Sequence, residues 1–120
     1  MKILLVDDEL HVGASVILVL GNAHRVETVA SARDAFEILN GSGRDFDLLI
    51  SDHRMPEWTG LELIKRLQGA GWPGKYLVMS AYMSPEVDAS YRALGVQHIF
   101  KKPFDVVELR SAVADIAREF

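Results

Sequence analysis

The stretch FDLLISDHRMPEWTG, residues 46–60, decides how the chain is read. Its apolar run Leu48-Leu49-Ile50 suits the middle of a sheet, yet it runs straight into the carboxylate of Asp52 and then turns sharply. Burying an ionised carboxylate costs free energy unless it is paired or bound to a metal. Asp52 therefore either lies just past a strand end or stands there for chemistry, and the surrounding sequence has to decide which.

Four further short runs resemble this one: ILLV (3–6), HRVETVA (24–30), KYLVM (75–79) and VQHIF (96–100). With DLLIS (47–51) they have the length and branched apolar content of strands. The segments between them carry helix-start chemistry. Ser31 precedes ARDAFEIL with Asp34 three residues on, Thr59 precedes GLELIKRL with Glu62, Ser84-Pro85 opens PEVDASYRAL, and Asp105 is followed by Glu108. In the last helix, Val106, Leu109, Val113, Ile116 and Phe120 share one face, which predicts packing along that stripe. The first helix, LHVGASVILVLG, is apolar nearly all round; Val12, Val16, Val19 and Leu20 are core candidates, and Val12 and Ile17 are candidates for an exposed docking patch. Turns fall at GNAH, NGSGRD and QGAGWPGK. Strands alternating with helices predict an α/β fold, a doubly wound parallel sheet with helices on both faces.

At 120 residues, with 49% hydrophobic and 25% charged side chains, the chain predicts a single domain over residues 1–120 with one ordinary core. A net charge of -4 supplies no basic field, so binding to nucleic acid or to an anionic membrane is not expected of this domain. The opening MKILLVDDE is cut off by acids before it could form a signal-peptide core, and the chain lacks cysteine, which together predict a cytoplasmic domain.

In a doubly wound fold, ligands bind beyond the carboxyl ends of the strands. Asp7 and Asp8 end the first strand, Asp52 the third and Ser80 the fourth, and Lys102 follows the fifth, so all five are expected on one rim. Three carboxylates held together need a cation or raised pKa values, and one lysine is insufficient for three acids. All-oxygen ligation points to a hard divalent ion, Mg²⁺ before others, which commonly also meets phosphate oxygens. A carboxylate can accept a phosphoryl group as nucleophile, while Ser80 and Lys102 could hold phosphoryl oxygens.

With these residues in place, the sequence resembles, over its full length, the receiver domain of two-component response regulators. The resemblance is carried by Asp7-Asp8 after the first apolar strand, Asp52 followed by Met55-Pro56 and Gly60, Ser80-Ala81, and Lys102-Pro103-Phe104. It implies a flavodoxin-like (βα)5 sheet of order 2-1-3-4-5. It also implies Mg²⁺ held by Asp7, Asp8, Asp52 and the backbone carbonyl of Arg54, with Asp52 as phosphoacceptor. The donor would be the phosphohistidine of a sensor histidine kinase or a phosphotransfer protein. The domain would act as a signalling switch, catalysing only its own phosphorylation and dephosphorylation, and could reach an output domain or dimer partner through the face made by its fourth helix, fifth strand and fifth helix. A cis Lys102-Pro103 peptide is a further implication.

The pattern is broken at Ile99, where the family commonly has an aromatic three residues before the lysine; a different conformational response is expected. Arg54 and Tyr82 are bulky and flank the path of an attacking water, which predicts a long-lived phosphoryl group unless both point to solvent. His11, His24, His53 and His98 have no metal-ligand spacing and read as surface or turn residues, Trp58 and Trp72 as packing, and Lys101 as a solvated charge. A metal-dependent hydrolase would instead carry a D-x-D motif on the first strand and a cap. A receiver that only binds partners would be expected to lose an acid, the serine or the lysine. A nucleotide-binding domain would need a glycine-rich loop after the first strand.

Overall fold

The computed structural model describes residues 1–41 and 45–120. The middle of the predicted NGSGRD turn, residues 42–44, lies outside the described residues. The described elements are β1 (Lys2–Val6), α1 (Leu10–Leu20), β2 (Arg25–Val29), α2 (Ala32–Asn40), β3 (Leu48–Asp52), α3 (Gly60–Gly69), β4 (Lys75–Ser80), α4 (Pro85–Ala93), β5 (His98–Lys101) and α5 (Val106–Ala117). The strands form one parallel sheet in the order β2-β1-β3-β4-β5, as the resemblance implied.

Alternation along the central strands divides the interior into two cores. Leu4, Val6, Leu49 and Val78 face α2, α3 and α4 and pack with Leu39, Leu63, Ile64, Leu67 and Tyr91. Ile3, Leu5, Leu48, Ile50, Leu77 and Met79 face the other way, onto Val16, Leu20, Leu109, Val113 and Ile116 of α1 and α5. Every residue of β3 is buried, which accounts for its unbroken apolar run. Edge strand β2 instead leaves Arg25, Glu27 and Thr28 exposed, a charged edge that discourages pairing with another chain.

The helix starts form as the sequence predicts. Ser31 caps α2, Ser84 caps α4 and Asp105 caps α5, each accepting a backbone N–H three residues on. Thr59 and Glu62 complete a reciprocal capping box at α3. This fixes the loop between Asp52 and α3 from its far end. Gly60 opens that helix because nothing larger fits: a Cβ there would collide with the Asp52 carbonyl oxygen and lie 2.7 Å from the Tyr91 hydroxyl.

Two packing expectations are corrected. The α5 stripe buries only its middle: Val106, the first helical residue, is 42% exposed, and Phe120, 60% exposed, lies past the end of the helix at Ala117. In α1 Val12, Val16 and Leu20 are buried and Val19 is half-buried, so Val12 belongs to the core, and the large apolar side chains exposed among those described are Ile17 and Leu18. Among the described residues, no helix is long and apolar enough to cross a membrane.

Candidate functional site

Parallel strands that start level also end level. The register pairs Val6 with Ser51, Asp52 with Met79, and Ser80 with Lys101, so the residues at and just after these positions come out on one rim. Asp7, Asp8, Asp52, Ser80 and Lys102 are all there. Asp7 and Asp52 are each only 5% exposed and Ser80 is 1% exposed, whereas Asp8 faces solvent.

Lys102 binds the rim together. Its ammonium donates to Asp7 Oδ2 at 2.7 Å, to Asp52 Oδ2 at 3.0 Å and to Glu9 Oε1 at 3.3 Å. The remaining oxygens of the two buried acids take backbone donors: Glu9 N–H reaches Asp7 Oδ1 at 2.8 Å, and His53 N–H reaches Asp52 Oδ1 at 2.7 Å. The Lys102-Pro103 peptide is cis.

Burial raises the Asp52 pKa above the ordinary carboxylate value; the Lys102 hydrogen bond and charge pull it down, and the Asp7 charge adds to the rise. Burial acts to lower the Lys102 pKa, but hydrogen bonds to Asp7 and Asp52 and the charges of both outweigh it, and the ammonium is shifted upward. One ion pair thus appears favourable from the lysine and inadequate from the aspartate. The two agree physically, because one ammonium collects several acids while each acid has only a share of one ammonium.

Carboxylate oxygens of Asp7, Asp8, Glu9 and Asp52 can all approach within 4.8 Å of one another. The set is all oxygen and more acidic than its lysine can neutralise, so it could hold a hard divalent cation. Sequence reasoning missed Glu9. It stands third in the Asp7-Asp8-Glu9 run, but nothing local in the sequence shows that its side chain turns back to the lysine.

Ser80 shares the rim, but its hydroxyl donates to the Tyr82 carbonyl at 2.8 Å and accepts from Tyr82 N–H at 3.3 Å. The side chains of Arg54 and Tyr82 are both exposed and face each other, the guanidinium carbon 5.7 Å from the ring centroid, a cation-π pair. The reading of the histidines as surface or turn residues needs two corrections: His98 lies half-buried within β5, and His53 is drawn inward. His53 is half-buried, with Nδ1 2.6 Å from the Tyr91 hydroxyl, and burial lowers its pKa, with Asp52 opposing and Arg54 adding to the fall. Trp72 is buried and Trp58 packs edge-on against Phe36, both as expected. Lys101 is exposed.

The doubly wound parallel sheet gathers buried acids around a lysine at its carboxyl ends, where folds of this class place their ligands. The family model of the response regulator receiver domain matches residues 3–114, and the chain belongs to that family, part of two-component signalling. It is 29% identical over 119 residues to response regulator RppA of Synechocystis, covering 98% of this chain and 51% of that protein. It is 29% identical to sporulation initiation phosphotransferase F of Bacillus subtilis, covering 93% of this chain and 90% of that one. The solved structure of Vibrio cholerae chemotaxis protein CheY4 superposes with a TM-score of 0.83 at 30% identity, covering 96% of this chain and 97% of that one. The chain thus spans about half of one curated relative and most of another.

Proposed function

We propose that residues 1–120 form one receiver domain that accepts a phosphoryl group on Asp52 and acts as a signalling switch. The observation that carries the reading is the Asp52 carboxylate, buried among acids and bridged to Asp7 by Lys102. Such an arrangement gains nothing for packing. The donor is a phosphohistidine on a sensor histidine kinase or a phosphotransfer protein. A carboxylate oxygen of Asp52 attacks the phosphorus, the P–N bond breaks, and the imidazole leaves with the bonding electron pair and takes up a proton.

Asp7, Asp8, Asp52 and the backbone carbonyl of Arg54 would hold Mg²⁺, which would supply positive charge to offset the carboxylates and the incoming phosphoryl oxygens. Lys102 pairs with one of those oxygens, and the Ser80 hydroxyl exchanges the Tyr82 carbonyl for another. The domain catalyses only its own phosphorylation and dephosphorylation. It works in the cytoplasm without binding nucleic acid or membrane itself, and its α4-β5-α5 face is the route to an output domain or a dimer partner.

Intact mass after incubation with acetyl phosphate tests this. A gain of one phosphoryl group that needs Mg²⁺ and is absent in Asp52→Ala is the expected result. No gain under conditions where Mg²⁺ binding is confirmed would leave a domain that only binds partners. The decay of the same mass peak reads the lifetime. Replacing Arg54 by Asn and Tyr82 by Ala removes the bulky pair that the shielding idea invokes and should shorten it, and an unchanged lifetime would refute that idea.

A further inference from the structure

Two polar side chains behind the rim take no part in the chemistry described above. His53 follows Asp52 directly, and Tyr91 lies in α4, fully buried. Although 38 residues apart, they meet through the 2.6 Å contact between His53 Nδ1 and the Tyr91 hydroxyl, with their rings edge-on at 5.4 Å. The hydroxyl lies against Gly60, at the start of α3. It occupies space that exists only because residue 60 is glycine. The 2.6 Å separation makes this a hydrogen bond between ring and hydroxyl in either imidazole tautomer.

The backbone of His53 is equally constrained. Its N–H donates to Asp52 Oδ1 at 2.7 Å, and its carbonyl accepts from Gly60 N–H at 2.8 Å. The two oxygens of Asp52 are therefore distinct: Oδ1 is taken by the His53 peptide, and Oδ2 faces Lys102. Tilting that peptide would turn the carboxylate, and the imidazole bound to Tyr91 resists the tilt.

Taking Asp52 as the phosphoacceptor, we propose that His53 and Tyr91 are positioning residues for it: the Tyr91 hydroxyl holds the His53 ring, so that the His53 N–H fixes Oδ1 and leaves Oδ2 toward the rim. The same chain of hydrogen bonds ties α4 to the reacting carboxylate without any polar atom at Ile99. Position, not proton transfer, is the contribution; displacement of a reacting group by a fraction of an ångström is enough to slow a reaction.

Tyr91→Phe keeps the ring and removes only the hydroxyl. In NMR spectra of the unphosphorylated protein, its His53 amide proton should move upfield as the bond to Asp52 Oδ1 loosens. The maximal rate of phosphoryl uptake from acetyl phosphate should fall about three- to tenfold, what one hydrogen bond of ordinary net strength is worth, with the half-saturating donor concentration unchanged. His53→Ala should reproduce this, whereas His53→Asn, which can still offer an acceptor near the Nδ1 position, should recover most of the rate. An unmoved His53 amide in Tyr91→Phe, or equal losses in His53→Ala and His53→Asn, would overturn the proposal. The amide shift is read without any donor, so a wild-type protein that took up no phosphoryl group would refute the phosphoacceptor reading and leave the positioning claim to be decided by that shift.

Discussion

At the amino end of the sheet, Asp45 accepts from the Lys2 ammonium at 2.8 Å and Asp47 accepts from Lys2 N–H at 2.9 Å, whereas at the carboxyl end Asp7, Glu9 and Asp52 share the one ammonium of Lys102. The Asp45 side chain is 63% exposed, and the hydrogen bond from Lys2 holds its pKa below the ordinary value. Asp52 is 5% exposed, and burial drives its pKa the other way. The first acid sits where water screens it and a partner serves it. The second sits where its charge is poorly served, as expected of a group placed for reaction rather than for stability.

Removing the lysine at the crowded end should have the largest effect. Lys102→Met leaves Asp7 and Asp52 buried without their cation, and breaking one partner of a buried pair costs about 3 kcal/mol. Urea denaturation in EDTA at pH 7 measures it. The loss should shrink with added Mg²⁺, and also as pH falls and the acids take up protons. A loss near zero would mean that the two ends are not electrostatically different.

Removing the acid should act in the opposite sense. A carboxyl whose folded pKa is raised favours the folded state most below its unfolded pKa, and that advantage is lost as pH rises through the folded value. At neutral pH ionised Asp52 is therefore a cost, and Asp52→Asn should raise Tm in EDTA by about 4 °C, the shift that roughly 1 kcal/mol gives a domain of this size. The gain should close as pH falls into the carboxylate range. Calorimetry of both proteins at pH 7 and at low pH checks it, and a lower Tm for the variant at pH 7 would reverse the sign assigned to the site.

The smallest effect belongs to the amino end. Asp45 has a lowered folded pKa, so its contribution is present above its unfolded pKa and lost as pH falls through the folded one. Solvent and salt screen a pair this exposed, and Asp45→Asn should leave Tm unchanged within error at physiological ionic strength. A shift as large as that of Asp52→Asn would erase the contrast.

Much of the rim was legible because its determinants are local. An apolar run ending in an acid marks a strand end, parallel strands end level, and Asp7, Asp8, Asp52, Ser80 and Lys102 followed from that. Glu9 was not legible, since only the path of the chain after β1 brings its carboxylate back to Lys102. Nor was the His53–Tyr91 contact, because neither residue carries a periodic signal pointing to the other. The α5 stripe shows the limit of periodicity: spacing tells which face of a helix turns inward, not where the helix ends, and Phe120 falls beyond its last turn.

The sequence by itself determined the alternation of strands and helices, the helix caps at Ser31, Thr59, Ser84 and Asp105, and the identity of the chemically unusual residues, since these depend on neighbours a few positions away. Tertiary structure alone decided which oxygen of Asp52 faces Lys102, that Arg54 lies over Tyr82, that Val12 is buried while Leu18 is exposed, and that Tyr91 reaches His53 through the space left by Gly60. Those outcomes depend on distances between residues far apart in the chain, and such distances exist only once the two cores have closed on the sheet.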